Sequence, residues 1–153
     1  MTTTLDEYKK ELHRRFEVDQ KEQKIEVYTE NVEWLKEQIK IHGIPTHENT
    51  DEHATQAGWI IAQHADHDRE FQKQYLELLH EQKDKVSPTW IAYLTDRVSI
   101  AETGKQVFGT QLTMVDGVRT LKPVDHDKTL DELRRAFGMP TVEWYLDFCN
   151  KNG

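Results

Sequence analysis

His64 and His67 stand three residues apart in the stretch Gln63-His64-Ala65-Asp66-His67, where a solvated helix face would not place them. Advancing about 100° per residue, a helix through this stretch puts His64 in the middle of an apolar stripe of Ile60, Phe71, Tyr75 and Leu78. His67 falls on the same stripe and Gln63 at its edge, while Asp66, Arg69 and Glu70 point the other way. On a second helical stretch Arg97 sits inside the apolar arc of Tyr93, Leu94, Ile100 and Ala101, with Asp96 at its margin. Near the start of the chain Asp19 continues the stripe of Leu12 and Phe16. Separate helices thus each send an ionisable group toward apolar surroundings. Burying an unpaired charge costs several kcal/mol, so such groups must pair with one another or line a wet cleft.

Three chemistries fit this set. The first is general acid–base catalysis: imidazole titrates near neutral pH, a carboxylate such as Asp19 or Asp96 would orient His64, and Arg97 would clamp an anionic group. The second is a divalent transition metal held by His64 and His67 with Asp19, a two-histidine, one-carboxylate ligand set. The spacing His64-Ala-Asp-His67 differs from the His-Glu-x-x-His zinc signature and carries no glutamate. The third is structural, a buried pair of Arg97 with Asp19 or Asp96 that fixes helix register. Nucleophilic serine or cysteine chemistry is excluded, since no Gly-x-Ser-x-Gly occurs and Cys149 lies in a terminal helix. Gly109-Thr110-Gln111 lacks the glycine spacing and lysine of a phosphate loop. The histidines at 13, 42, 47, 53, 80 and 126 read as scattered and exposed, His53 alone sharing the long helix's inner face near its start, and Asp125-His126-Asp127 matches a metal triplet by composition alone.

The elements that must hold these groups are helical. Stripes recur at Leu5, Tyr8, Leu12 and Phe16; at Val32, Leu35 and Ile39; along a long helix over residues 51–82; at Ile91, Leu94, Val98 and Ala101; at Leu130, Leu133 and Phe137; and from Val142 to Phe148. Gly43 and Pro45 end one stretch, and Ser87-Pro88 starts another, with serine as N-cap and proline at the first helical position. Gly138 and Pro140 close a helix, and Thr141 caps the last. Asp116-Gly117 between Gln106–Met114 and Val118–Pro123 signals a type I′ hairpin. The expectation is a mainly α, compact domain of five to six helices with one β-hairpin near residues 106–123, all of it one domain over residues 1–153.

Composition sets the outer limits. The chain has 153 residues, with 28 acids against 20 lysines and arginines, a net charge of −8 and one cysteine. That balance speaks against nucleic acid and anionic membrane surfaces, and the lone cysteine excludes an internal disulfide or a cysteine-rich zinc site. No apolar run approaches a membrane span, and the N-terminus lacks the layout of a secretory leader, so the protein is expected in the cytoplasm. The apolar fraction of 36% is thin beside the roughly 45–50% usual with glycine included. That thinness raises the cost of every inward polar group.

Several of these stretches, taken in order, resemble a bacterial family of uncharacterised proteins grouped as a domain of unknown function. Trp59 to Asp68, with Phe71-Gln72, resembles its core motif. Leu94-Thr95-Asp96-Arg97-Val98 resembles the second and Phe108-Gly109-Thr110-Gln111 the third. Asp19-Gln20, His42 to Thr46, Gly138-Met139-Pro140 and Tyr145-Leu146 complete the likeness, which spans nearly the whole chain. It implies that Gln63, His64, Asp66, Asp96, Arg97 and Gln111 belong together, in conflict with the outward facing of Asp66. The reading that results is a small enzyme using acid–base chemistry centred on His64, in an inter-helix pocket. Asp19 or Asp96 would orient the histidine and Arg97 would clamp an anion. Gln63, Thr110, Gln111 and Trp59 would contact a small anionic or polar ligand. The competing readings are a binding module with a structural polar cluster, and a metal-dependent enzyme.

Overall fold

The computed structural model describes residues 3–152. Met1 and Thr2, which begin the stretch read above as lacking a leader, lie outside them. The chain forms two compact units, with the boundary between Trp90 and Ile91. Acidity is uneven between them: 19 acids against 12 lysines and arginines up to Trp90, nine against eight beyond it.

The first unit opens with α1 (Leu5–Glu22), started by a capping box in which Thr4 accepts the Glu7 N–H and Glu7 accepts the Thr4 N–H. Its stripe buries Tyr8 and Leu12 completely and carries on to a fully buried Asp19, while Leu5 stays exposed. Gln23 leaves the helix in the left-handed region at φ 44°, so Lys21 to Lys24 form a helix junction. Helix α2 (Ile25–His42) buries Val32 and Leu35 and ends at Gly43, whose carbonyl accepts the Tyr8 hydroxyl at 3.0 Å.

The long helix expected over 51–82 is two helices. The first, α3 (Glu52–Gln63), is N-capped by Asp51 and buried along most of its length, and α4 (Arg69–Glu81) is N-capped by Asp68, which accepts the Phe71 N–H at 3.1 Å. The break carries no glycine or proline to mark it in the sequence. What ends α3 is polar side-chain competition for the backbone, from Asp68 on one side and Gln72 on the other. The split raises the count to seven α-helices among the described residues.

Gly58 shows how tightly α3 is packed. Alanine ordinarily favours a helix interior over glycine by about 1 kcal/mol. Here a Cβ would lie 2.5 Å from Pro45 Cγ and inside the contact distance of the Tyr75 hydroxyl. Both neighbours are buried and ring-bound, so sterics reverse the sign. Gly58→Ala is expected to cost about 1–3 kcal/mol, measured as a lower denaturation midpoint. A midpoint at or above that of the wild type would show that Pro45 and Tyr75 give way.

Helix α5 (Pro88–Thr103) starts at the expected proline and runs into the second unit. There Ala92, Phe108 and Met139 form the core, with Val107, Leu133 and Phe137 packed against it. Strands β1 (Leu112–Val115) and β2 (Val118–Leu121) pair antiparallel, Leu112 facing Leu121 and Val115 facing Val118. Asp116 and Gly117 both have positive φ, 50° and 81°, as the type I′ turn demands. The ladder is shorter than the expected 106–123. Gln106 keeps an isolated bridge to Val124 and the Gln111 carbonyl accepts the Lys122 N–H, but side chains take up the backbone N–H groups of Val107, Phe108, Thr110 and Gln111. Helices α6 (Leu130–Ala136) and α7 (Val142–Asn152) follow, with Thr141 capping α7 through the Trp144 N–H. Asn150 ties α7 to β2 by exchanging two hydrogen bonds with the Arg119 backbone.

Candidate functional site

In the first unit the chain joins two of the expected residues across 45 positions. Asp19 on the last turn of α1 meets His64, the residue that caps the end of α3, with Asp19 Oδ2 2.8 Å from His64 Nδ1. The Asp19 side chain is wholly buried, while 23% of the His64 side chain remains exposed. The other carboxylate oxygen accepts Gln20 Nε2 at 3.0 Å. The Tyr28 ring lies 4.5 Å from the imidazole, tilted by 33°. A carboxylate at Nδ1 makes that nitrogen the donor, which leaves Nε2 as the basic nitrogen. Nε2 makes no hydrogen bond to the described residues. The pair is therefore oriented from inside and open on its outer nitrogen, as a general base or acid needs to be.

His67 does not join it. The break after α3 carries His67 to the exposed surface of the turn, so the two histidines share no helix face. Among the described residues no group of three or more His, Cys, Asp or Glu side chains is placed to hold a metal ion. The expected His64–His67–Asp19 ligand set is thus not assembled, because the spacing that suggested it assumed an unbroken helix. Asp66 is exposed, as its facing implied, and has a role there: it pairs with Arg69 at 3.2 Å and accepts Gln72 Nε2 at 3.2 Å. Gln63 is buried, and Trp59 stacks on Trp90 at 4.1 Å and 18°, so both serve the core more than an open face. His13, read as exposed, is half-buried and bonded to Asp51 at 3.0 Å, with His53 edge-on to its ring.

The same turn holds a pH-sensitive pair. Lys36 donates to Asp68. That hydrogen bond first of all, helped by the Phe71 N–H and opposed by burial, holds the Asp68 carboxyl below its ordinary 3.8. A carboxyl depressed in the folded state adds stability that is complete above its unfolded value and disappears as pH falls through its folded one. Melting the wild type beside Asp68→Asn from about pH 6 to about pH 3 should show the gap between them closing on acidification. A gap that stays constant would mean the Asp68 carboxylate contributes nothing to stability.

In the second unit Asp96 is not marginal but completely buried. Its Oδ1 accepts the Val107 and Phe108 N–H groups, each at 2.8 Å. Its Oδ2 accepts the Thr110 N–H at 2.9 Å and the Thr110 hydroxyl at 2.7 Å. Both oxygens accept hydrogen bonds from the loop, so Asp96 organises it. Three residues that sequence reading missed complete the work. Gln106 accepts the Gln111 N–H and donates to the Gln111 and Lys122 carbonyls. Arg134, 1% exposed, donates to the carbonyls of Phe108, Gly109 and Pro140. Tyr145 donates to the Thr110 carbonyl at 2.7 Å. Burial lowers the Arg134 guanidinium from its usual value, with nearby Tyr145, Tyr93, Asp131 and Asp96 pulling the other way. Burial likewise pushes the Tyr145 phenol up. What the pinned loop holds is Gln111, whose Oε1 accepts Arg97 Nη1 at 3.3 Å and whose Nε2 donates to Thr110 Oγ1 at 3.3 Å.

Fold and geometry together define a mainly α-helical protein with one hairpin, an Asp–His pair buried at the carboxylate and partly exposed at the imidazole, and a loop built on buried polar side chains. A family model described as "Family of unknown function (DUF6624)" matches residues 17–152, and the chain belongs to that family. Asp19, His64, Asp96, Arg97 and Gln111 all lie within the matched span. No curated protein and no solved structure matches the chain. No helix among the described residues is long and apolar enough to cross a membrane.

Proposed function

We propose that this chain is an enzyme in which His64 transfers protons through Nε2 and Asp19 holds its ring. One observation carries the reading: a fully buried carboxylate engages Nδ1, while Nε2 has no hydrogen-bond partner among the described residues and sits on a partly exposed ring. A pair kept only for packing gains nothing from an open outer nitrogen, and burying the Asp19 charge costs stability that catalytic positioning would offset. Within the second unit, taken by itself, Arg97 on α5 and Gln111 on the pinned loop are groups of the kind that hold an anionic or polar ligand. The saturated network around Asp96 favours a structural role for that carboxylate, as the binding-module reading held for the whole cluster.

The test is a screen of chromogenic esters, amides and phosphate monoesters with the wild-type protein and His64→Gln. The variant offers Asp19 an amide N–H but has nothing that titrates near neutral pH. Turnover that needs His64 supports the reading. Turnover undiminished in the variant, or none in the wild type across the classes, counts against it.

A further inference from the structure

The core motif of the sequence runs on past His64 to Gln72, a residue that the proposed proton transfer does not touch. Gln72 lies on the first turn of α4 and is completely buried. Its amide nitrogen donates to the Ala62 carbonyl at 3.0 Å and the Gln63 carbonyl at 3.2 Å. The end of a helix leaves such carbonyls without intrahelical partners. The Gln63 carbonyl belongs to the peptide that carries the His64 N–H, and that N–H donates to Ile60 O at 3.0 Å. The peptide entering His64 is therefore held from both sides. Two further contacts set which way the Gln72 amide faces. Arg69 Nη1 donates to its oxygen at 2.8 Å, and Asp66 accepts from its nitrogen. Asp66 and Arg69, exposed as they are, are joined at 3.2 Å and close this clamp from outside.

The geometry points to Gln72 as the positioning residue for His64: its amide, oriented by Asp66 and Arg69, stops α3 at Gln63 and so sets the imidazole on Asp19 with Nδ1 inward and Nε2 outward. This rests on the reading of His64 and Asp19 as the working pair. It adds that the helix break is part of the site. A continuous helix would carry the His64 peptide on along the α3 axis, with its carbonyl bonded four residues ahead. The clamp instead ends the helix at Gln63, with His64 as its cap, and fixes the ring's origin. Gln72 touches no reacting atom in this scheme, and its effect passes wholly through His64.

The experiment reads the imidazole itself. Ring nitrogen-15 spectra identify which nitrogen of each histidine carries the proton, and the spectrum of His64→Gln assigns the His64 signals among the eight histidines. In the wild type, neutral His64 should be protonated on Nδ1 alone. In Gln72→Met, which keeps the volume and removes the amide, it should become a mixture of the two tautomers. Its carbethoxylation rate at Nε2 should shift in parallel. If Gln72→Met does not fold, Asp66→Ala, altered at an exposed position, decides, and a smaller shift in the same direction is expected. A purely structural Gln72 would lower the denaturation midpoint and leave the His64 tautomer unmoved, which would overturn the inference. Wild-type His64 present as a mixture would instead bring down the Asp19–His64 reading, and the positioning role with it.

Discussion

His64→Ala is expected to lower kcat/KM by about 100- to 10 000-fold on the substrate class that the screen identifies, the usual contribution of a positioned proton-transfer group. At about 1.4 kcal/mol per decade, that is roughly 3–5 kcal/mol of barrier. His64→Gln should lose as much, because its amide restores the hydrogen bond to Asp19 but cannot carry a proton. Asp19→Asn should lose activity in the same direction. An amide that donates to Nδ1 moves the ring proton to Nε2, and in a serine protease triad the equivalent change costs about 10⁴-fold. A structural pair predicts the opposite ranking. Breaking it at Asp19 would lower stability, and restoring a hydrogen bond with glutamine would restore function. Kinetics of the three variants beside their denaturation curves separates the two. His64→Gln at wild-type kcat/KM would end the catalytic reading.

Asp96→Ala should produce the largest loss of stability. The substitution strands three backbone N–H groups, those of Val107, Phe108 and Thr110, together with the Thr110 hydroxyl. A buried donor left without a partner costs about 1–3 kcal/mol, and relaxation with entry of water recovers part of the sum. A net loss on the order of 3–5 kcal/mol is expected, a large share of the roughly 5–15 kcal/mol that holds an ordinary domain together. Denaturant unfolding should show it in the midpoint. Amide exchange at Val107, Phe108 and Thr110 should accelerate ahead of exchange in the strands. Asp96→Asn keeps an acceptor oxygen and should fall between. A loss under about 1 kcal/mol would mean that the Gln106, Arg134 and Tyr145 contacts hold the loop unaided.

Much of the architecture was legible because it is local. The Ser87-Pro88 start, the Gly43 and Gly138 stops and the Asp116-Gly117 turn each depend on residues within a few positions, and the structure has all of them. The inward facing of Asp19 and His64 was legible for the same reason, from apolar neighbours at helical spacing. The reading failed where one side chain displaced another element's backbone bonding. Gln72 and Asp68 cut the long helix without a glycine or proline to announce it, and that cut moved His67 to the surface. Gln106, Arg134 and Tyr145 replaced the expected strand ladder with side-chain hydrogen bonds. Neither glutamine carried a charge to mark it. Arg134 lies on a short helix where a buried arginine looks like any solvated one.

By itself, then, the sequence determined where helices begin and end at their caps, which turn closes the hairpin, and that a few ionisable groups must be held away from water. Those are consequences of backbone sterics and of apolar periodicity, which act over a turn or two. Tertiary structure alone decided which polar groups meet. Asp19 finds His64 across 45 residues, Asp96 turns to the Thr110 loop, and Arg134 finds carbonyls some 25 residues upstream. A buried charge is stable only beside a partner. Which partner it takes depends on how whole helices pack, and no short stretch of sequence contains that information.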